Sequence, residues 1–110
     1  MESSKVKYIV HDKGFKRLAD IRSYIQSMMS KYSDYSLLDS GDLAFMCDLL
    51  KRHEAADIKI GCGIQSMYLR HNPIFKQTRG FWLVRYDGSE TDFSYEMCLR
   101  NKPESILSKF

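Results

Sequence analysis

The sequence has no long apolar run, few prolines and few cysteines, and each shortage narrows what the chain can be. Its first apolar patch, Val6 to Val10, is short and broken by Lys7, so neither a signal segment nor a membrane span is read there. A cytoplasmic, intracellular protein with no membrane partner is the expectation. Three cysteines, Cys47, Cys62 and Cys98, are odd in number and widely spaced, which fits a reducing compartment rather than a disulfide framework. Together with His11, His53 and His71 they form no CxxC or HxxxH pair, and structural zinc sites draw on such close pairs. No metal and no other cofactor is expected. Neither the dinucleotide fingerprint nor the Walker spacing occurs. A nucleophile could be imagined in Cys62 or Ser94 with His53 and Asp92, but their spacing enforces no proximity, and the reading is of a protein that is not an enzyme.

What is present is ordinary globular composition: 110 residues, 44% hydrophobic and 28% charged, enough to close one core and too apolar for disorder. The whole chain, 1–110, reads as a single domain, with 103–110 as a loosely docked tail carrying Ile106, Leu107 and Phe110. The formal net charge of +3 is too mild to decide a partner, so distribution must do so.

Alternation makes Lys5 to His11 a short strand, which Asp12-Lys13-Gly14 breaks. Phe15, Leu18, Ile21, Ile25, Met28, Met29 and Tyr32 then recur at helical spacing, predicting one amphipathic helix. Asp39-Ser40-Gly41-Asp42 has the short oxygen side chains of a helix cap, ahead of the apolar face Leu43, Met46, Cys47, Leu49 and Leu50. Strands follow at Gln65 to His71, Phe81 to Tyr86 and Thr91 to Leu99, with Asn72-Pro73 interrupting the first two and Asp87-Gly88 joining the last two in a hairpin. The fold class is therefore α+β: strand, helix, helix, then a three-stranded antiparallel meander, with two helices packed on one sheet face.

Charge is split along the second half. Lys59, Arg70, Lys76, Arg79 and Arg85 fall in a stretch without any Asp or Glu, interleaved with Tyr68, His71, Phe75, Phe81 and Trp82. Cations for phosphates beside rings for bases is the composition of a single-stranded nucleic-acid surface. Lys59, Arg70, His71, Lys76 and Arg79, with Tyr68 and Phe75, are the candidate contacts. Asp87, Glu90, Asp92 and Glu96 follow without any Lys or Arg. Folding back over a two- or four-residue turn, they pair Arg85 with Glu90 or Asp92, so Arg85 and Asp92 read as structural. Gly61-Cys62-Gly63 reads as a tight turn into the sheet rather than a phosphate nest. Cys98 reads as a small core residue near a strand end, and Ser94 as a strand hydroxyl.

Several of these residues lie in a pattern that resembles the "defective chloroplasts and leaves" (DCL) domain family. The pattern is Lys59-Ile60-Gly61-Cys62-Gly63-Ile64, Arg79, Arg85-x-Asp87-Gly88, Asp92-Phe93-Ser94-Tyr95 and Cys98-Leu99-Arg100, preceded by the helix-end His53. Two departures stand out: His71-Asn72-Pro73 where the family has His-Pro, and Thr78-Arg79-Gly80 where it has Ser-Arg-Cys. The resemblance implies that His53, Gly61, Gly63, Arg85, Asp87, Gly88, Asp92, Phe93, Ser94, Tyr95 and Cys98 hold the fold. It also implies a non-catalytic module near RNA: plant members are associated with plastid ribosomal RNA maturation, and a related domain ends the largest subunit of a plant RNA polymerase. RNA, or a ribonucleoprotein or transcription complex, is the expected partner. The alternative is a protein-interaction module docking a protein partner through a sheet face or the tail.

Overall fold

The computed structural model describes residues 6–74 and 77–100. Phe75, Lys76 and the tail 103–110 lie outside the described residues.

The chain opens with a hairpin of β1 (Tyr8–Val10) and β2 (Lys13–Phe15), paired Tyr8 to Phe15 and Val10 to Lys13. The residues read as a strand breaker are thus its return strand. His11 makes this possible by adopting φ 58°, while its amide donates to Asp48 Oδ2 at 2.6 Å. Because β2 claims Phe15, the first helix starts later than the periodicity suggests: α1 is Leu18–Met29. It still buries Ile21, Ile25 and Met28, and Phe15 joins Tyr24 and Phe45 in an aromatic cluster.

The second helix, α2 (Ser40–Leu50), begins where its cap was expected: Asp39 Oδ1 accepts from the Asp42 amide at 2.8 Å. It buries Phe45, Met46, Leu49 and Leu50. A short helix, α3 (Ala56–Ile60), follows where the sequence shows no helical period, and Gly61 ends it at φ 55°.

The sheet is β3 (Ile64–His71), β4 (Arg79–Arg85) and β5 (Glu90–Phe93), antiparallel in chain order, as the sequence predicts. Its register differs from both expected ones. Phe81 opposes Phe93, Trp82 opposes Asp92 and Val84 opposes Glu90. The loop between the strands therefore holds three residues, Tyr86-Asp87-Gly88. The Gly88 amide donates to the Arg85 carbonyl at 2.9 Å, and Gly88 sits at φ 87° before the Arg85–Ser89 closure. A turn closed by a left-handed glycine matches the twist of the flanking strands. Arg85 consequently faces Ser89, not an acid.

The last strand is also shorter than expected. It stops at Phe93, and α4 (Tyr95–Arg100) takes over. The Ser94 carbonyl accepts from the Met97 amide at 3.2 Å, and the Cys98 thiol points at it from 3.8 Å. Tyr95, Cys98 and Leu99 share one helical face, which packs toward α2 and the sheet.

Met67, Leu69, Phe81, Leu83 and Phe93 form the inner sheet face and share one apolar cluster with α1, α2, Cys98 and Leu99. Each large side chain so buried contributes about 1.5–3 kcal/mol relative to exposure. Residues 35–38 flank β3: the Tyr35 amide donates to the Leu69 carbonyl at 2.7 Å and the Leu38 amide to Met67 at 2.9 Å. That strip covers the β3 edge.

Candidate nucleic-acid interface

Strand alternation turns the remaining side chains of the sheet away from the core. Register places them in rows: Tyr68, Trp82 and Asp92 side by side; Arg70 beside Gly80; Ser66, Val84 and Glu90 in a third. The Arg70 guanidinium lies over the Trp82 ring at 4.4 Å and reaches the Tyr35 ring at 5.9 Å. Cation–π contacts of this kind hold an arginine in place without neutralising it. Arg70 Nε is covered by this packing and has no hydrogen-bond partner among the described residues.

Tyr68 is buried, not a free stacking surface. Its hydroxyl donates to Glu90 Oε1 at 2.6 Å, and its ring stacks on Tyr35 at 5.4 Å. Burial, then the Glu90 carboxylate, pushes this phenol above its ordinary range. The exposed ring is Tyr35, at 64% accessibility and held at φ 69°. A tyrosine in the left-handed region is strained, and such strain persists only where the surroundings enforce it. Tyr35 lies between α1 and α2 in a short stretch that carries no motif. Nothing local reveals it, because its partners Tyr68 and Arg70 are distant in sequence.

The other candidate cations have other duties. Arg79 donates through Nε to Asp34 Oδ1 at 3.1 Å, through one terminal nitrogen to the Met29 carbonyl at 3.2 Å, and through the other to the Tyr32 carbonyl at 2.5 Å. It satisfies carbonyls at the end of α1 and just past it, so it is not a free cation. His71 Nδ1 sits 2.7 Å from Asp34 Oδ2, whose other oxygen takes Arg79. The bond from His71 is the main reason the Asp34 carboxyl lies below its ordinary range. Lys59 Nζ donates to the Asp92 carbonyl at 2.7 Å, tying α3 to β5. Of the expected contacts, the structure brings together Arg70 with Tyr68, and separately His71 with Arg79.

The Lys59–Ile64 and Arg85–Gly88 parts of the motif build the opposite end of the sheet. Arg85 donates to the Lys59 carbonyl at 2.9 Å, the Ile58 carbonyl at 3.3 Å and Ser89 Oγ at 2.9 Å. It closes α3 onto the hairpin through carbonyls rather than an ion pair. A Cβ on Gly61 would lie 2.9 Å from Arg85 Cδ, so the glycine admits that side chain. Asp87 accepts from the Ser89 amide and hydroxyl, which holds it below the ordinary carboxylate range. His53 Nδ1 accepts from the Ala55 amide at 2.9 Å, turning α2 into α3. Burial pushes the Cys98 thiol up to about 12, which removes it as a nucleophile.

One residue escapes sequence reading altogether. Arg52 looks like a basic helix end, yet its side chain is fully buried. It donates to the Asp48 and Ile9 carbonyls and pairs with the Asp48 carboxylate at 3.3 Å, pinning the first hairpin to α2.

A hollow of about 290 Å³ opens where β5 gives way to α4. Gly80 lies in its wall, and a Cβ there would meet nothing within 4 Å. Arg70, Trp82, Asp92, Ser94 and Tyr95 also line it. Among the described residues no three His, Cys, Asp or Glu side chains converge on one point. No described helix is long and apolar enough to cross a membrane.

Comparison with known proteins agrees with this architecture. The model of a family described as proteins of unknown function (DUF3223) matches residues 26–99. The chloroplastic protein DCL homologue of Arabidopsis thaliana is 42% identical over 52 residues, 47% of this chain and 24% of that protein. Subunit 1 of the DNA-directed RNA polymerase V of the same plant is 32% identical over 73 residues, 66% of this chain and 4% of that subunit. The chain thus spans about a quarter of the DCL relative and far less of the polymerase subunit. An uncharacterised protein from Rhodospirillum rubrum, solved by NMR in solution, superposes with a TM-score of 0.77 at 34% identity, over 86% of this chain and 90% of that one. With a family match across most of the described core and relatives that bear the DCL name, the chain belongs to the DUF3223 family as a DCL-type domain.

Proposed function

We propose that this domain is a non-catalytic module that binds single-stranded RNA on the outer face of its sheet, within RNA-maturation or transcription machinery. The carrying observation is Arg70, held over Trp82 and beside the exposed ring of Tyr35. A cation that is positioned but not neutralised meets phosphate, and adjacent rings stack on bases of any sequence. The polymerase subunit among its relatives places a similar domain in a protein named for transcription. Catalysis finds little support, since His53 Nδ1 is taken up by the Ala55 amide and Asp92 lies opposite Trp82.

Fluorescence anisotropy with labelled single-stranded RNA, duplex RNA and DNA across a salt series tests this reading. With one phosphate contacted by Arg70, log K against log salt should fall with a slope of about −0.7 on single strands, and more steeply with each further phosphate contacted. Trp82→Ala should weaken binding by about 1–3 kcal/mol. Absence of binding at low salt would refute it. Exposed Tyr35 and Leu37 on the strip flanking β3 favour a second reading, a protein partner docked there. Leu37→Glu would abolish that contact and leave RNA affinity intact.

A further inference from the structure

We infer that the hollow beside Gly80 seats one unpaired guanine, with its Watson–Crick edge against the Asp92 carboxylate. The inference rests on the single-stranded reading of the same sheet face and adds base selectivity to it.

Size comes first. At about 290 Å³ the hollow lies just under the range of about 300–1,000 Å³ that takes drug-sized ligands, so it suits one planar ring system. Its shape comes from an absent side chain. In register, Gly80 stands between Arg70 and the end of β5, and a Cβ there would touch nothing. Glycine inside a strand weakens the strand and marks close approach by something else. The Trp82 and Tyr95 rings line the space, offering faces and edges to a flat ligand.

Polarity then selects the ligand. The Asp92 carboxylate and Ser94 hydroxyl both line the hollow, and neither has a hydrogen-bond or ion-pair partner among the described residues. Asp92 would have met Arg85 in a different hairpin register; the three-residue loop leaves it beside Trp82 instead. A free carboxylate repels phosphate, so the hollow receives a base and the backbone runs toward Arg70. Carboxylates only accept. Guanine presents two adjacent donors, N1–H and the 2-amino group, that match two carboxylate oxygens. Cytosine and adenine present one amino group flanked by an acceptor. Uracil presents one N–H between two carbonyls. Guanine is therefore preferred, and uracil least.

The chain has one tryptophan, and it lines the hollow, so its fluorescence reports occupancy. The test titrates the protein with uridine hexamers carrying a single central G, C, A, U or inosine, at one fixed low salt. The G hexamer should bind about tenfold tighter than all-U, the size of one good carboxylate–base contact. Inosine, which lacks the 2-amino group, should lose roughly half of that advantage on a logarithmic scale. Asp92→Asn should bring G and U within about twofold of each other, with all-U affinity no weaker than before because the repulsion of phosphate is lifted. Gly80→Leu, at a position where the Cβ meets nothing within 4 Å, puts a side chain into the space and should remove the preference in the same way, with a thermal melt showing that the fold is kept. Equal affinity for all five hexamers, or a G preference that survives Gly80→Leu, overturns the hollow as a base site and leaves the single-stranded reading standing. Absence of binding by every hexamer overturns both.

Discussion

Two arginines nine positions apart, both in the acid-free stretch, have opposite roles. Arg79 is spent on Asp34 and on two carbonyls at the end of α1, whereas Arg70 lies over the Trp82 ring with no acid bonded to it among the described residues. Arg79→Ala should thus cost roughly 2–3 kcal/mol of stability in urea unfolding, since it strands a carboxylate and two acceptors. Arg70→Ala should leave the urea midpoint nearly unchanged and weaken RNA binding. Sequence could not separate them, because Asp34 lies 45 residues from Arg79. Arg52 makes the same point more sharply. Breaking its buried contacts by Arg52→Met should destabilise the fold by about 3–5 kcal/mol, read from the same unfolding curves. Acid response follows from Asp42. Burial works to raise its carboxyl, but bonds from Tyr32 at 2.6 Å and Lys31 at 2.9 Å outweigh it and hold it low. A carboxylate depressed in the folded state stabilises above its unfolded value and loses that contribution as pH falls through the folded one. The melting temperature should hold level from neutrality to about pH 5 and decline below about pH 4, less steeply in Asp42→Asn.

At the scale of elements, what local chemistry specifies was readable and what competition between elements decides was not. The Asp39 cap, the apolar face of α2 and the three-strand meander all follow from short-range pattern. Asp39→Ala should cost about 1 kcal/mol in a thermal or urea melt. Phe15 fits a helical period and a hairpin equally, and pairing with Tyr8 won. Tyr95, Cys98 and Leu99 fit a strand only by continuation from Phe93; a helical face buries all three at once. The hairpin loop turned on one glycine. Gly88 needs φ 87°, so Gly88→Ala should cost about 1 kcal/mol although its Cβ has open space around it. Gly80→Ala, also in open space but without positive φ, should be neutral or slightly stabilising. Comparing the two melts separates conformational strain from room.

For the molecule as a whole, the sheet divides labour between its ends. Gly61, Arg85, Asp87 and Gly88 lock α3 to the β4–β5 hairpin at one end. Arg70, Trp82 and the hollow occupy the other, next to Tyr35. Substitutions at the first end should shift stability with little change in binding, and those at the second the reverse; a paired series of melts and anisotropy titrations checks the division. The motif is split between the two ends: Lys59–Ile64 and Arg85–Gly88 lie at the structural end, and Asp92-Phe93-Ser94-Tyr95 beside the hollow. Composition, periodicity and turn residues alone determined the α+β class, the capped second helix and the antiparallel order of the strands, because each rests on short-range pattern; the family was legible only through the resemblance of the ordered motif from His53 to Arg100. Only the tertiary structure decided which cations are free, where Tyr35 points, and that Asp92 meets Trp82 and not Arg85. Those outcomes hang on a one-residue choice of loop length and on partners tens of positions away, and no local pattern encodes either.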